Sequence, residues 1–509
     1  MKSFFWLVFL GLFTTCSPRN AAQRPNIIFF LADDLGYGEL GILGQEKIKT
    51  PHIDALAKSG MLFTQHYSAA PVCAPARYMF LTGQHSGHAY IRGNDEWAER
   101  GEVWNYRKAV NNPGLEGQRP IPANTITLAK ILKEAGYQTG LFGKWGLGAP
   151  ETAGVPTQQG FDVFYGYNCQ RQAHNLYPPF LWQNEEKEML NNQLLVPHTR
   201  LDSTLDSLDA ESYQLYTQED YAPTKIHEAA MSFLEKQRNQ PFFMYYASPL
   251  PHLPLQAPKA WVDRYRQAFG EEAPYTGDRG YFPCRYPRAT YAAMIAYLDH
   301  QLGELIAQLK AQGQYEHTLI FFTSDNGPTY TGGVDFDFFH SSRPFANGYG
   351  KTKGFVHEGG IRVPMIASWP GHIEQGSRSA HLSAFYDVFP TICDLLDLPV
   401  PVAVDGVSFK ATLTGQVQAP RDYLYWEFPS YKGQQAVRMG KWKGIRKQMQ
   451  EGNREIELYD LELDLTESHN VAKEYPEIVA QMKAIMKAEH VPSLNPKFRI
   501  AALDGDIPK

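Results

Sequence analysis

The sequence predicts an α/β fold: a large mixed, mainly parallel sheet with helices on both faces, followed by a smaller C-terminal antiparallel sheet with a helix. Three observations predict it. Two uninterrupted apolar runs, "NIIFFLA" from Asn26 and "HTLIFFTS" from His317, have the texture of strands covered on both faces, as parallel strands are. Between and beyond them the chain alternates helix-period segments with strand-like ones. After about Pro420 it changes to short strand-like pieces joined by turns, with one helical segment near the end.

The elements follow in order. The run from Asn26 ends in Asp33 and Asp34, then a glycine-bounded turn, so two acids stand at the C-terminal end of a buried strand. Open α/β sheets place their ligand sites there. "TITLAKILKEAGYQTGLFGKW" reads as a helix over about Thr127–Glu134, a stop at Gly136 and a strand into Lys144. "PTKIHEAAMSFLEKQRNQPFFMYYASPLPH" repeats the pattern and delivers His252 to a strand end. "YAAMIAYLDHQLGELIAQLKAQG" has apolar positions at helical spacing and Gly313 past its end, an amphipathic helix. The run from His317 ends in Asp325, Asn326 and Gly327, a second strand finishing in oxygen-bearing groups. "GGIRVPMIASWPG" follows as a strand and "AFYDVFPTICDLLDL" as a helix. In the last part, "RDYLYWEF", "QQAVRMGKWKGIRK" and "REIELYDLELD" are strands, and a helix covers about Pro476–Lys487. "YPPFLWQNEEKEML" reads as an ordered active-site loop.

Composition narrows the class. The 509 residues, 43% hydrophobic, suffice for a large core. Lys+Arg 48 against Asp+Glu 54 gives a net charge of −6 with no basic block, which argues against nucleic acid as a partner. The 29 Tyr, 29 Phe and 9 Trp form a high aromatic load of the kind that covers sugar faces, although most rings in any such chain are core. "MKSFFWLVFLGLFTTC" is one Lys, an apolar run from Phe4 to Phe13 and small residues, well short of the roughly 20 apolar residues a membrane span needs. It reads as an export signal over 1–16, with 17–24 as a tether and the remainder as units 25–419 and 420–509. The ending "FTTC" resembles a bacterial lipobox, which implies lipidation of Cys16, an anchor by lipid alone, and a periplasmic or cell-surface location. Without Cys16, Cys73, Cys169, Cys284 and Cys393 form no recognisable disulfide framework and no zinc cluster.

The sharpest feature is "PVCAPARYMFLTG", an isolated cysteine with an arginine four residues on and a helix beginning. "CAPAR" fits C-x-P-x-R, and "GYQTGLFGKWGLG" follows a second signature. "ADDLGYG", "SDNG", "KGFVHEGGIRVP" and "ELYDLELDLTESHNV" complete a set of six in consistent order. Together they resemble the type I, formylglycine-dependent sulfatases, and in particular the exported bacterial enzymes that act on sulfated glycans. The family belongs to the alkaline-phosphatase superfamily, whose fold agrees with the one predicted. One such motif alone is weak; six in order are specific.

The resemblance implies a hydrolase of carbohydrate sulfate esters, exo-acting, on a sulfated oligosaccharide, glycosaminoglycan or mucin-type glycan, with galactose or N-acetylgalactosamine sulfate as the expected unit. It implies that a formylglycine-generating maturation enzyme oxidises Cys73 to 3-oxoalanine, whose hydrate offers two hydroxyls on one carbon: one to attack sulfur, one to be deprotonated when sulfate leaves. Asp33, Asp34, Asp325 and Asn326, with residue 73, match the ligands of one Ca²⁺, and an oxygen donor set suits that ion. Arg77 matches the motif arginine, Lys144 and Lys353 the sulfate-binding lysines, with Lys351 an adjacent competitor, and His252 the acid that protonates the leaving alcohol. Gly146 stands where the family usually carries histidine. His85, His88 and His174 are candidates to replace it, and His174 is also expected to read the substrate. Two rivals are a phosphatase or phosphodiesterase of the same superfamily, which the oxygen-only ligands oppose, and a non-catalytic glycan-binding lipoprotein, which only Gly146 favours.

Overall fold

The structure, a computed structural model, describes residues 24–238 and 240–505. The export signal, Cys16 and most of the tether lie outside the described residues. No helix among the described residues is long and apolar enough to cross a membrane.

A ten-stranded sheet forms the centre. Its five inner strands are parallel, in the spatial order Thr318–Ser324, Asn26–Ala32, Phe242–Ala247, Gln138–Lys144 and Val163–Tyr167. Met365–Ser368, Met61–Phe63 and Ser377–Ser379 extend it on one side. Phe180–Gln183 and Glu186–Met189 extend it on the other. This last pair corrects one expectation: "YPPFLWQNEEKEML" is an edge hairpin, turned at Asn184, whose φ of 54° is left-handed.

Side-chain alternation along Asn26–Ala32 explains the two layers of core. Ile27, Phe29 and Leu31 face one layer, where Phe29 stacks on Phe80 at 3.8 Å and anchors the helix Cys73–Thr82. Ile28, Phe30 and Ala32 face the other, with the helices Ala222–Lys236 and Pro287–Ala311. The latter is buried around nearly its whole circumference from Pro287 to Leu298, because the helix Lys259–Phe269 packs over it. Only its second half keeps the expected polar face. The helix Leu128–Glu134 starts as predicted, with the Thr127 side chain accepting the Lys130 N–H.

The register matters most for function. Ala32 pairs with Ser324, Leu31 with Ala247, and Ala247 with Gly143. Four neighbouring strands therefore end at one level, and the residues that follow them share one edge of the sheet.

Leu424–Phe428, Gln434–Met439, Trp442–Arg446 and Glu457–Asp460 form the small antiparallel sheet. The helix Pro476–Ala488 lays Met482 and Met486 against Tyr425, Val437 and Leu458. Trp426 Nε1 donates to Ser68 O at 2.8 Å and Arg92 pairs with Glu427 at 2.8 Å, which docks this sheet beside the large one.

Candidate active site

Asp33 and Asp34 leave the strand Asn26–Ala32, and Asp325 and Asn326 leave its neighbour. All four are buried. The chain turns sharply at Asp34, φ 66°, and the Asp34 N–H donates to Asp325 Oδ1 at 3.1 Å, which ties the two strand ends together. Gly327 follows because a Cβ there would lie 1.9 Å from Gly359 O.

Cys73 opens the helix Cys73–Thr82 and points into this group, its Sγ donating to Asp33 Oδ1 at 3.3 Å. Burial, then the charges of Asp325 and Asp33, push the thiol well above the ordinary range, so the unmodified side chain is no thiolate nucleophile. Cys73, Cys169, Cys284 and Cys393 are all free and buried. One helical turn on, Arg77 reaches Asp325 Oδ2 through Nε at 3.1 Å and Nη2 at 2.9 Å, approaches Asp33 Oδ2 at 3.3 Å and donates to Lys144 O. It binds the two strand ends from below.

Lys144, last residue of its strand, meets Asp33 Oδ2 at 2.6 Å. Lys353 meets Asp34 Oδ2 at 2.6 Å. Lys351 turns away from it and donates to Glu467 O at 2.8 Å. Burial opposes the ionisation of Asp33, but Lys144 and the neighbouring cations hold it well below the usual carboxylate range. Asp325 is pushed up to about 7, by burial and by the charge of Asp33.

These residues fit a divalent ion. Asn326 Nδ2 donates to Asp34 Oδ1 at 2.7 Å, while Asn326 Oδ1 is buried without a hydrogen-bond partner. Donor atoms of Asp33, Asp34, Cys73 and His252 lie within 4.8 Å of one another. An oxygen-rich pocket with an orphaned carbonyl suits a hard cation.

His252 lies between the cis peptide bonds Leu250–Pro251 and Leu253–Pro254. Its Nδ1–H donates to Leu253 O at 2.6 Å, and Nε2 stands 3.7 Å from Asp34 Oδ2. Burial and the charges of Lys353 and Lys144 lower its pKa, so the ring of the ligand-free protein is neutral; a protonated ring requires an anion bound beside it. His174 stacks on His252 with ring centres 5.4 Å apart. Two residues that sequence reasoning missed complete this wall: His198, 3.1 Å from His174, and Tyr281, whose ring centre is 5.2 Å from that of His174. A lone histidine in a proline-bounded polar segment carries no signal that would have found it.

The structure takes His85 and His88 out of contention as replacements at Gly146. His85 Nε2 donates to Glu489, at the end of the C-terminal helix, at 2.8 Å, and His88 Nδ1 bonds Asp405 at 2.8 Å, so both rings are engaged in structural contacts. Gly146 itself has φ 80°, a conformation that disfavours any side chain, and a Cβ there would meet Gln170 at 3.5 Å. The side chain beside that position is a glutamine, with Oε1 buried and unpartnered.

Comparison with known proteins agrees with this geometry. The family described as Sulfatase matches residues 25–398, and the family described as N-sulphoglucosamine sulphohydrolase, C-terminal, matches residues 349–491. Human arylsulfatase A is 32% identical over 435 residues, spanning 83% of this chain and 75% of the relative. The N-acetylgalactosamine-6-O-sulfatase of Bacteroides thetaiotaomicron is 27% identical, spanning 94% and 97%. The solved structure of Ps i-CgsB in complex with k-i-k-neocarrahexaose superposes with a TM-score of 0.71 at 25% identity, covering 96% of this chain and 95% of that one. With its signatures gathered at one sheet edge and its length matched by these relatives, the chain belongs to the sulfatase family and hydrolyses sulfate esters.

Proposed function

We propose that the protein is an exported, exo-acting carbohydrate sulfatase that works through formylglycine at position 73 and one calcium ion. The observation that carries the proposal is the meeting of Cys73, three carboxylates and two lysines at the ends of neighbouring strands. Oxidised and hydrated, residue 73 would offer two hydroxyls on one carbon, one to attack sulfur and one to be deprotonated as sulfate leaves, and a calcium ion beside it would lower the hydroxyl pKa.

The other roles follow from the side chains. Lys144 and Lys353 bind the sulfuryl oxygens and orient sulfur toward position 73. Arg77, locked on Asp33 and Asp325, keeps those carboxylates aimed at the ion. Asp33, Asp34, Asp325 and Asn326 would hold the calcium ion. His252 takes up a proton once the anionic ester is bound and delivers it from Nε2 to the leaving alcohol, its ring fixed through Nδ1 by Leu253 O. His174 reads the sugar.

Relatives named for N-acetylgalactosamine sulfate, and a neighbour holding a neocarrahexaose, support a sulfated galactose-type unit at a glycan end as substrate. The same proposal takes 25–419 as the catalytic unit and 420–509 as a subdomain that closes it. It places the protein in the periplasm or at the cell surface, anchored through Cys16. Desulfation of a panel of mono-sulfated sugars, with a phosphate monoester as control, tests it. Sulfate release from one galactose-type isomer at least tenfold faster than from the rest is expected; faster hydrolysis of the phosphate ester would contradict it.

A further inference from the structure

The wall opposite the lysines contains a chain of hydrogen bonds whose direction is fixed at one end. The Tyr281 backbone N–H donates to His198 Nδ1 at 3.0 Å. A backbone amide can only donate, so Nδ1 of His198 is an acceptor and its ring proton resides on Nε2. That Nε2 lies 3.1 Å from His174 Nδ1. His198 is therefore the donor and His174 Nδ1 the acceptor, which puts the His174 proton on Nε2. Among the described residues this Nε2–H has no partner, and the ring carrying it stacks on His252, 13° from parallel.

The chain works only with both rings neutral. A second proton on His174 would set its Nδ1–H against the His198 Nε2–H, and one on His198 would face the Tyr281 amide. Burial lowers the proton affinity of both rings in the same sense. The backbone accepts strain to build the arrangement: His198 has φ 64° and Tyr281 φ 63°, both left-handed, which side-chain-bearing residues adopt only where their surroundings hold them there. Gly280, φ 83°, precedes Tyr281, and a Cβ at that glycine would press to 3.3 Å from His198 Nδ1. Room has been left for this one bond.

We propose that His198 is a positioning residue for substrate recognition: by donating to Nδ1 it fixes His174 as an Nε2–H donor to an oxygen of the sugar that carries the sulfate. This rests on the carbohydrate sulfatase proposal above. His198 itself touches neither sulfate nor the ion ligands. An acceptor oxygen on the sugar is preferred over a hydroxyl donor, because His174 offers no free lone pair on its ring nitrogens.

A kinetic cycle tests this with the preferred sulfated sugar and with 4-nitrophenyl sulfate, which has no sugar to read. His198→Ala and His174→Ala are each expected to raise KM for the sugar about tenfold with kcat changed less than twofold. The double variant should lose no more than His174→Ala alone. His198→Gln, whose amide can accept from Tyr281 and donate to His174, should recover most of the loss. Additive losses, or a fall in 4-nitrophenyl sulfate turnover as large as that with the sugar, would overturn the proposal and leave His198 a purely structural residue. Wild-type protein that cleaves neither ester would instead overturn the sulfatase reading and this one with it, so the two failures are distinguishable.

Discussion

Two clusters of buried charge lie in this molecule, and they are built differently. One is the strand-end group of Asp33, Asp34, Asp325, Arg77, Lys144 and Lys353. The other joins the two sheets: Lys443 Nζ sits between Glu358 at 2.7 Å and Glu467 at 3.0 Å, Arg362 reaches Glu358 at 3.0 Å, and the Tyr67 hydroxyl donates to Glu358 at 2.8 Å. The Glu358 N–H donates in turn to Glu467 at 2.8 Å. Burial alone would raise Glu358, yet Lys443, Arg362 and Arg438 together hold it at about 2. The second cluster is closed around Lys443, although burial still raises Glu467. In the first, Asp325 stays near 7 and Asn326 Oδ1 has no partner. The strand-end group is open by contrast: donor atoms of Asp33, Asp34, Cys73 and His252 lie within 4.8 Å of one another, where a further cation can bind.

The largest expected effect breaks the closed cluster. Lys443→Met leaves Glu467 buried without its cation and Glu358 paired with Arg362 alone, and is expected to cost about 3–5 kcal/mol, read by denaturant unfolding. A loss under about 1 kcal/mol would show that the cluster does not hold the two sheets together.

The open cluster should respond to metal. Calcium at a hundred times its dissociation constant should stabilise the protein by about 2.7 kcal/mol, a gain that chelation removes and that Asn326→Ala reduces. The same addition should leave the cost of Lys443→Met unchanged. Equal stabilisation of wild type and Asn326→Ala would place the ion elsewhere.

The smallest effect sharpens the contrast through pH. Glu358 is depressed below its unfolded value, so its contribution is present above about pH 4.5 and disappears as pH falls toward 2. Glu116 is the opposite case. It is buried under Trp182, whose Nε1 lies 3.3 Å from both carboxylate oxygens, and burial pushes it up to about 7. Its contribution is complete below about pH 4.5 and disappears as pH rises through 7. Glu116→Gln should therefore stabilise the protein by about 1–2 kcal/mol at pH 8 and change little at pH 5, as measured by thermal unfolding. Stabilisation that is the same at both pH values would assign the effect to packing.

The open cluster was legible in the sequence because each of its parts ends a recognisable element. An apolar run that stops in two acids, another that stops in Asp-Asn-Gly, and a cysteine opening a helix all announce themselves locally. The parallel order of the inner strands and their common end level come from long-range pairing, which no local pattern encodes. The closed cluster was half visible: the motifs that carry Glu358 and Glu467 were recognised, but Lys443 reads as an ordinary strand lysine. His198 and Tyr281 were invisible, since their roles depend on positive φ angles and on contact between segments 83 residues apart. The burial of Pro287–Leu298 around nearly its whole circumference was missed because helical spacing shows a face without showing what lies opposite.

The central claim is that residue 73 works as an aldehyde hydrate and not as a thiol. The most direct measurement is the mass of the peptide containing residue 73, from active protein made in a host that has a formylglycine-generating enzyme. The account predicts a peptide lighter than the thiol form by the exchange of sulfur and two hydrogens for one oxygen, in a fraction that rises and falls with sulfate-ester turnover across preparations. Full turnover from protein whose residue 73 is entirely an intact thiol would contradict it.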